Sequence, residues 1–169
     1  AASWRWVVNV YIAAATTDFE IVQRVAGALQ RAGHVQTFDW TRAEEVNGTQ
    51  VRADLAEAEV EGVRRADLLV AIMPGGRGTH AEIGAALGLK KPILLVCFGS
   101  WALSNSTSRK ECLYLFYSHA LVQKLVLTGA EIVNGMDALG AIVAAVQKLA
   151  PPAAVSEPRA IEEATSCAT

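Results

Sequence analysis

Apolar residues in this chain fall into short unbroken runs, separated by longer segments in which they recur every three or four positions. Val7 to Ala13 (VVNVYIA), Asp67 to Met73 (DLLVAIM) and Pro92 to Phe98 (PILLVCF) are the runs. Their β-branched content and brevity predict strands, and their continuity predicts strands buried on both faces. Between the first two, Thr17 to Ala32 places Ile21, Val22, Val25, Ala28 and Leu29 on one helical face. Thr17 and Glu20 have the spacing of a capping box, and Gly33 would end that helix. Val35 to Phe38 predicts a second strand and Trp40 to Asn47 a loop. Val51 to Arg65 predicts a helix with Ala53, Ala56, Val60 and Val63 inward, and Thr79 to Leu89 another helix. Gly99 to Lys110 is polar, serine-rich and loop-like, whereas Leu113 to Leu127 fits neither period. Glu131 to Asn134 predicts a short last strand, and Met136 to Leu149 a closing amphipathic helix.

Strands alternating with helices predict an α/β domain with a parallel sheet covered on both faces and right-handed crossovers. Ligands of such folds bind beyond the carboxyl ends of the strands, where the strand order reverses. The loops after Ala13 and after Met73 are expected there. Residues 1–150 are read as one domain. Pro151 to Thr169, rich in Ala, Pro and Glu with little periodicity, is read as a flexible tail.

Composition narrows the function classes. The 169 residues suit one domain with a full core. A hydrophobic share of 52% with 19% charged residues is globular, and the net charge of −2 comes without a basic stripe, so nucleic acid is not expected as a partner. Cys97, Cys112 and Cys167 are odd in number and form no metal-type pair. They suggest a reducing, cytoplasmic setting. The opening AASWRW does not read as a signal peptide, and no apolar stretch is long enough for a membrane span. No HExxH or similar cluster exists in the sequence, so no metal or cofactor is expected.

The chemistry concentrates in MPGGRGTHAEIG, Met73 to Gly84. Gly75, Gly76 and Gly78 allow close backbone approach to a ligand, and amides at Gly78, Thr79 and His80 would point at an anion or a sugar hydroxyl. The spacing matches neither a Walker loop nor GxGxxG. Glu82 has two readings. With Thr79 as N-cap it sits at N3 of a capping box, a purely structural role. Alternatively it is a carboxylate nucleophile at a strand-to-helix cleft, kept ionised by the helix dipole.

The order YIAAATTDFE, EVEGVRRADLLVAIM and GRGTHAEIGAALGLKKPILLV resembles the nucleoside 2-deoxyribosyltransferase family from about Val7 to Phe98, and more loosely at FYSHALV, Phe116 to Val122. The resemblance implies a flavodoxin-like, Rossmann-like three-layer sandwich with a five-stranded parallel sheet, assembled as a dimer or higher homo-oligomer. It implies Glu82 as the nucleophile on C1′ of a deoxyribose, Tyr11 as the residue positioning it, and Glu59 near the base or its proton path. At position 59 the family has an aspartate, one methylene shorter. Its aspartate six residues before the nucleophile is replaced here by Gly76. Ala13, Asp18, Gly75, Gly76, Arg77, Gly78, Thr79 and His80 are the candidate substrate-binding positions. Asp18 is also a candidate second acid, with helix-dipole stabilisation as its plain alternative.

The implied activity is cleavage or transfer of the N-glycosidic bond of a 2′-deoxynucleoside or its 5′-monophosphate through a glycosyl-enzyme. The chain also resembles the related 2′-deoxynucleoside 5′-phosphate N-hydrolases, which use water and bind phosphate with the loop after the first strand. Here that loop is AAATTD, which offers Thr16 and Thr17 but no arginine. Pro74 to Glu82 also matches the PGGxGTxxE of cytokinin-type phosphoribohydrolases, which makes a nucleoside 5′-monophosphate hydrolase one alternative. A non-catalytic nucleotide-binding module is another. Asp67 is expected to be structural, His34 a turn residue and His119 a surface histidine. Trp4, Trp6 and Trp101 are aromatic candidates for stacking a base, though for Trp4 and Trp6, near a terminus, covering the core or an interface is the favoured reading.

Overall fold

The computed structural model describes residues 6–42, 49–98, 119–127 and 136–149. Five strands, β1 (Asn9–Ala13), β2 (Val35–Gln36), β3 (Leu68–Met73), β4 (Ile93–Phe98) and β5 (Val122–Leu127), form one sheet in the order β2-β1-β3-β4-β5. Every neighbouring pair is parallel. The helices are α1 (Phe19–Arg31), α2 (Thr49–Arg65), α3 (Arg77–Gly88) and α4 (Met136–Leu149). The architecture is the expected three-layer α/β sandwich.

Alternation along the strands divides the core in two. Val10, Ile12, Leu68, Val70, Ile72, Leu94 and Val96 pack with Val22, Val25 and Leu29 of α1 and Ile142 and Val146 of α4. Tyr11, Ala13, Leu69, Ala71, Met73, Leu95 and Cys97 turn the other way, toward Val63 and Ala66 at the end of α2 and Ile83 and Ala86 of α3. One residue's shift in β1 would exchange these sets. Register therefore decides that Tyr11 faces the α2–α3 layer.

That register is pinned at the strand entries. Asp67 Oδ2 accepts hydrogen bonds from the Asn9 backbone N–H at 2.8 Å and from Asn9 Nδ2 at 3.0 Å. The structural reading of Asp67 fits these contacts. His34 differs from expectation: it is buried at 3% exposure, and its Nδ1 accepts from the Val8 backbone N–H at 3.2 Å. It fastens the chain leading into β1 rather than merely completing a turn. His119 is exposed, as expected.

Several element readings need correction. No Thr17–Glu20 capping box forms, because Thr16–Asp18 is a separate 3-10 turn and α1 starts at Phe19. The second strand contains only Val35 and Gln36, and a 3-10 turn at Trp40–Arg42 interrupts the expected loop. Ala53, Ala56 and Val60 of α2 face solvent, leaving Val63 as the one correct inward assignment. The inward side instead carries Leu55, Glu59 and Gly62. The fifth strand lies within the segment that fitted neither period. Glu131–Asn134, Gly99–Lys110 and the 151–169 tail lie outside the described residues.

Replacing Asp67 with alanine leaves the Asn9 groups without their acceptor. We expect a loss of about 1–3 kcal/mol, read as a lowered midpoint in chemical denaturation with unchanged slope.

Candidate active site

β1 and β3 are neighbours, but the chain leaves them in opposite directions across the sheet. Their carboxyl ends therefore frame a crevice at a topological switch point. A cleft of ≈ 350 Å³ lies there, lined by Ala14 to Thr17, Trp40, Glu59, Gly76 to Thr79, and Glu82.

The glycine turn sets one wall. Gly75 has φ +67°, and a Cβ there would stand 2.6 Å from Thr79 Cγ2, so both backbone and space require glycine. The Thr79 hydroxyl accepts from the Gly76 N–H at 3.0 Å, and Gly76 carbonyl receives the His80 N–H at 3.2 Å. Gly76 is thus the N-cap and Thr79 the third helical residue. This overturns the capping-box reading of Glu82. Glu82 lies in the second turn, has 8% exposure, and takes no part in the cap.

Its partner comes from β1. The Tyr11 hydroxyl donates to Glu82 Oε1 at 2.6 Å. Tyr11 is fully buried, and its ring lies close to Gly62 of α2, where a Cβ would stand 2.9 Å from Tyr11 Cε2 and 2.7 Å from Phe38 Cβ. Thr37 Oγ1 donates to Gly62 carbonyl at 2.8 Å, fastening that helix to the segment after β2. A glycine on α2 therefore makes room for the tyrosine that holds the glutamate.

Burial pushes the Glu82 carboxyl up to about 7, the nearby Glu59 charge adds to the rise, and the Tyr11 hydrogen bond works against both. Burial also raises the Glu59 carboxyl. The Tyr11 hydroxyl is held far above its ordinary value, first by burial and then by Glu82, so it remains a donor.

Of the candidate positions, Glu59, Gly76, Arg77, Gly78, Thr79 and Glu82 meet at the cleft, with Tyr11 directly behind Glu82. Gly75 shapes the turn. Ala13 is buried in the core beneath the site, while Asp18 precedes α1 and His80 bonds back to Gly76 carbonyl through Nδ1 at 2.8 Å. None of these four lines the cleft. Ala14, Ala15, Thr16, Thr17 and Trp40 do; Thr16 and Thr17 belong to the loop expected there to meet a phosphate, whereas Trp40 was given no site role. A Cβ at position 76 would meet nothing nearer than Ala15 Cα at 3.9 Å, so crowding at the Cβ is not what requires glycine there. Among the described residues, no group of three or more His, Cys, Asp or Glu could hold a metal ion. No helix among them is long and apolar enough to cross a membrane.

A parallel sheet with the order 2-1-3-4-5 and a buried tyrosine–glutamate pair at its switch point define a flavodoxin-like domain with a carboxylate-centred cleft. The chain belongs to the nucleoside 2-deoxyribosyltransferase family, which it matches over residues 10–126. It is also similar to solved structures. A CMP N-glycosidase of Clostridium botulinum, BcmB, superposes with TM-score 0.52 at 17% identity, covering 79% of this chain and 96% of the other. BlsM superposes with TM-score 0.55 at 21% identity, covering 89% and 98%. At these identities the likeness is one of fold. No curated protein matches the sequence.

The raised Glu82 carboxyl has a consequence for stability. Between its ordinary 4.5 and about 7, the folded protein holds a proton that the unfolded chain has released. Stability therefore falls as pH rises through that window, and the full cost persists above it. Glu82→Gln removes the cost while keeping an acceptor for Tyr11. We expect the variant to gain stability over wild type as pH rises from 4.5 to 8, by roughly 2–3 kcal/mol at the top, measured by urea denaturation across pH.

Proposed function

We propose that the protein cleaves or transfers the N-glycosidic bond of a 2′-deoxynucleoside or its 5′-monophosphate, with Glu82 as the nucleophile. The observation that carries this reading is the Tyr11–Glu82 pair at 2.6 Å, at the wall of a cleft that also holds Glu59. Family membership supports the reaction class.

In the first step a Glu82 carboxylate oxygen attacks C1′. The C1′–N bond breaks, and its electron pair leaves with the base, which takes a proton from Glu59. Glu59 suits this acid role because burial favours its protonated form. In the second step water or another base attacks C1′ and the bond to Glu82 breaks. The attacking group's proton returns to Glu59. Two displacements at one carbon retain its configuration. The Tyr11 hydroxyl fixes the attacking carboxylate and favours its ionised form. Lining by Thr16, Thr17, Arg77 and the first turn of α3 favours a 5′-monophosphate over the free nucleoside. Gly76 supplies no carboxylate to repel that phosphate.

The test is chromatographic. The protein is incubated with deoxynucleosides, their 5′-monophosphates and the ribose forms, with and without a second base. Base release from a deoxy substrate, lost by at least about a thousandfold in Glu82→Gln, is expected. A new nucleoside would identify a transferase. Release from ribonucleotides alone would favour the phosphoribohydrolase alternative, and tight binding without release would favour a nucleotide-binding module.

Activity should also rise with pH toward about 7 as Glu82 ionises. Because the Tyr11 hydrogen bond opposes the rise, Tyr11→Phe should move the acid limb of kcat/KM to higher pH. An unmoved limb in an active Tyr11→Phe variant would contradict the proposed role of the pair.

A further inference from the structure

Trp40 is an aromatic residue at the cleft that the proposed chemistry does not use. Its place is built rather than incidental. It opens the 3-10 turn after β2, and Asp39 organises that turn by accepting from the Thr41 N–H at 3.2 Å and the Thr41 hydroxyl at 2.5 Å. Asp39 also pairs with Arg42 at 2.8 Å. Trp40 Nε1 donates to the carbonyl of Ile12 at 2.9 Å, and the side chain packs against both core clusters. The indole's one polar atom is thus satisfied at the ring edge, and the π faces carry no polar obligation.

Topology says what such a ring could meet. Trp40 follows β2 and the glycine turn follows β3, so they stand on opposite sides of β1 and of the Ala14–Thr17 loop. Glu82 comes from the glycine-turn side and Glu59 from α2. The polar end, with Arg77, Thr16 and Thr17, suits the sugar hydroxyls or phosphate. Among the described residues, Trp40 is the aromatic ring lining the cleft. In a substrate whose C1′ is at Glu82, the base extends from C1′ and the 5′ end from C4′, so the two reach different parts of the cleft.

We propose that Trp40 is the stacking platform for the leaving base and a specificity-determining residue, selecting a flat heteroaromatic leaving group. This rests on the proposed N-glycosidic function for its substrate class. Stacking is indifferent to the base's hydrogen-bonding pattern, so it selects ring shape while Glu59 is left to meet the base's polar edge.

Two substitutions separate stacking from support of β1. Trp40→Phe and Trp40→Leu both lose the bond to Ile12, but only phenylalanine keeps an aromatic face. KM should be about tenfold higher in the leucine variant than in the phenylalanine variant, with kcat similar in the two. Equal losses in both variants, falling on kcat, would overturn the proposal and make Trp40 a support for Tyr11. A second measurement needs no catalysis. Wild type and Trp40→Phe are titrated with free adenine and cytosine, and the difference in tryptophan fluorescence is recorded. A saturable change attributable to Trp40 is expected. If no substrate releases base, the enzymatic reading fails, yet this titration still decides the stacking: saturation upholds it and a flat difference overturns it.

Discussion

The Tyr11 hydroxyl and the Glu82 carboxylate, 2.6 Å apart, join the two halves of the site. A carboxylate nearly cut off from water loses solvation, and the pair returns only part of it, so the acid remains raised to about 7. Much of the surrounding structure bears on that pair. The sheet register turns Tyr11 toward the α2–α3 layer. Gly62 makes room for its ring. The cap is made by Gly76 and Thr79, which leaves Glu82 free of it in the second turn of α3.

The arrangement accepts a cost in stability at neutral pH in return for a carboxylate whose ionisation is poised near that pH. A glutamate left in water would be ionised but well solvated and a poorer nucleophile. One buried without Tyr11 would hold its proton more tightly. Glu59 adds to the rise at Glu82 while burial raises its own carboxyl, so the cleft contains two acids shifted in the same direction by related causes.

Much of this was legible in the sequence. The unbroken apolar runs located β1, β3 and β4, because strands buried on both faces have no polar alternation to confuse them. The TxxEIG stretch and the tyrosine in β1 pointed to the two residues that meet. The misses have physical causes. Apolar spacing chose Ala53, Ala56 and Val60 as the inner face of α2, because the true inner side carries Glu59 and Gly62, neither of which looks like core. The start of α3 was placed late because Thr79 resembles an N-cap, whereas a glycine holds that position. β5 was obscured because an edge strand exposes Gln123, Lys124 and Val126. Trp40 was hidden in a segment that looked like plain loop. Its anchor is a backbone carbonyl, which has no sequence signature.

The most direct test of Glu82 as nucleophile is to catch it bonded to sugar. A 2′-fluorinated arabinosyl nucleoside, whose electron-withdrawing fluorine slows the second displacement, is mixed with the protein and quenched in acid. Intact-mass and peptide mass spectrometry are then recorded. The account predicts a gain of one fluoropentosyl group on the peptide carrying Glu82, accompanied by one equivalent of free base and absent from Glu82→Gln. Continued base release without any adduct, or an adduct at another residue, would contradict it.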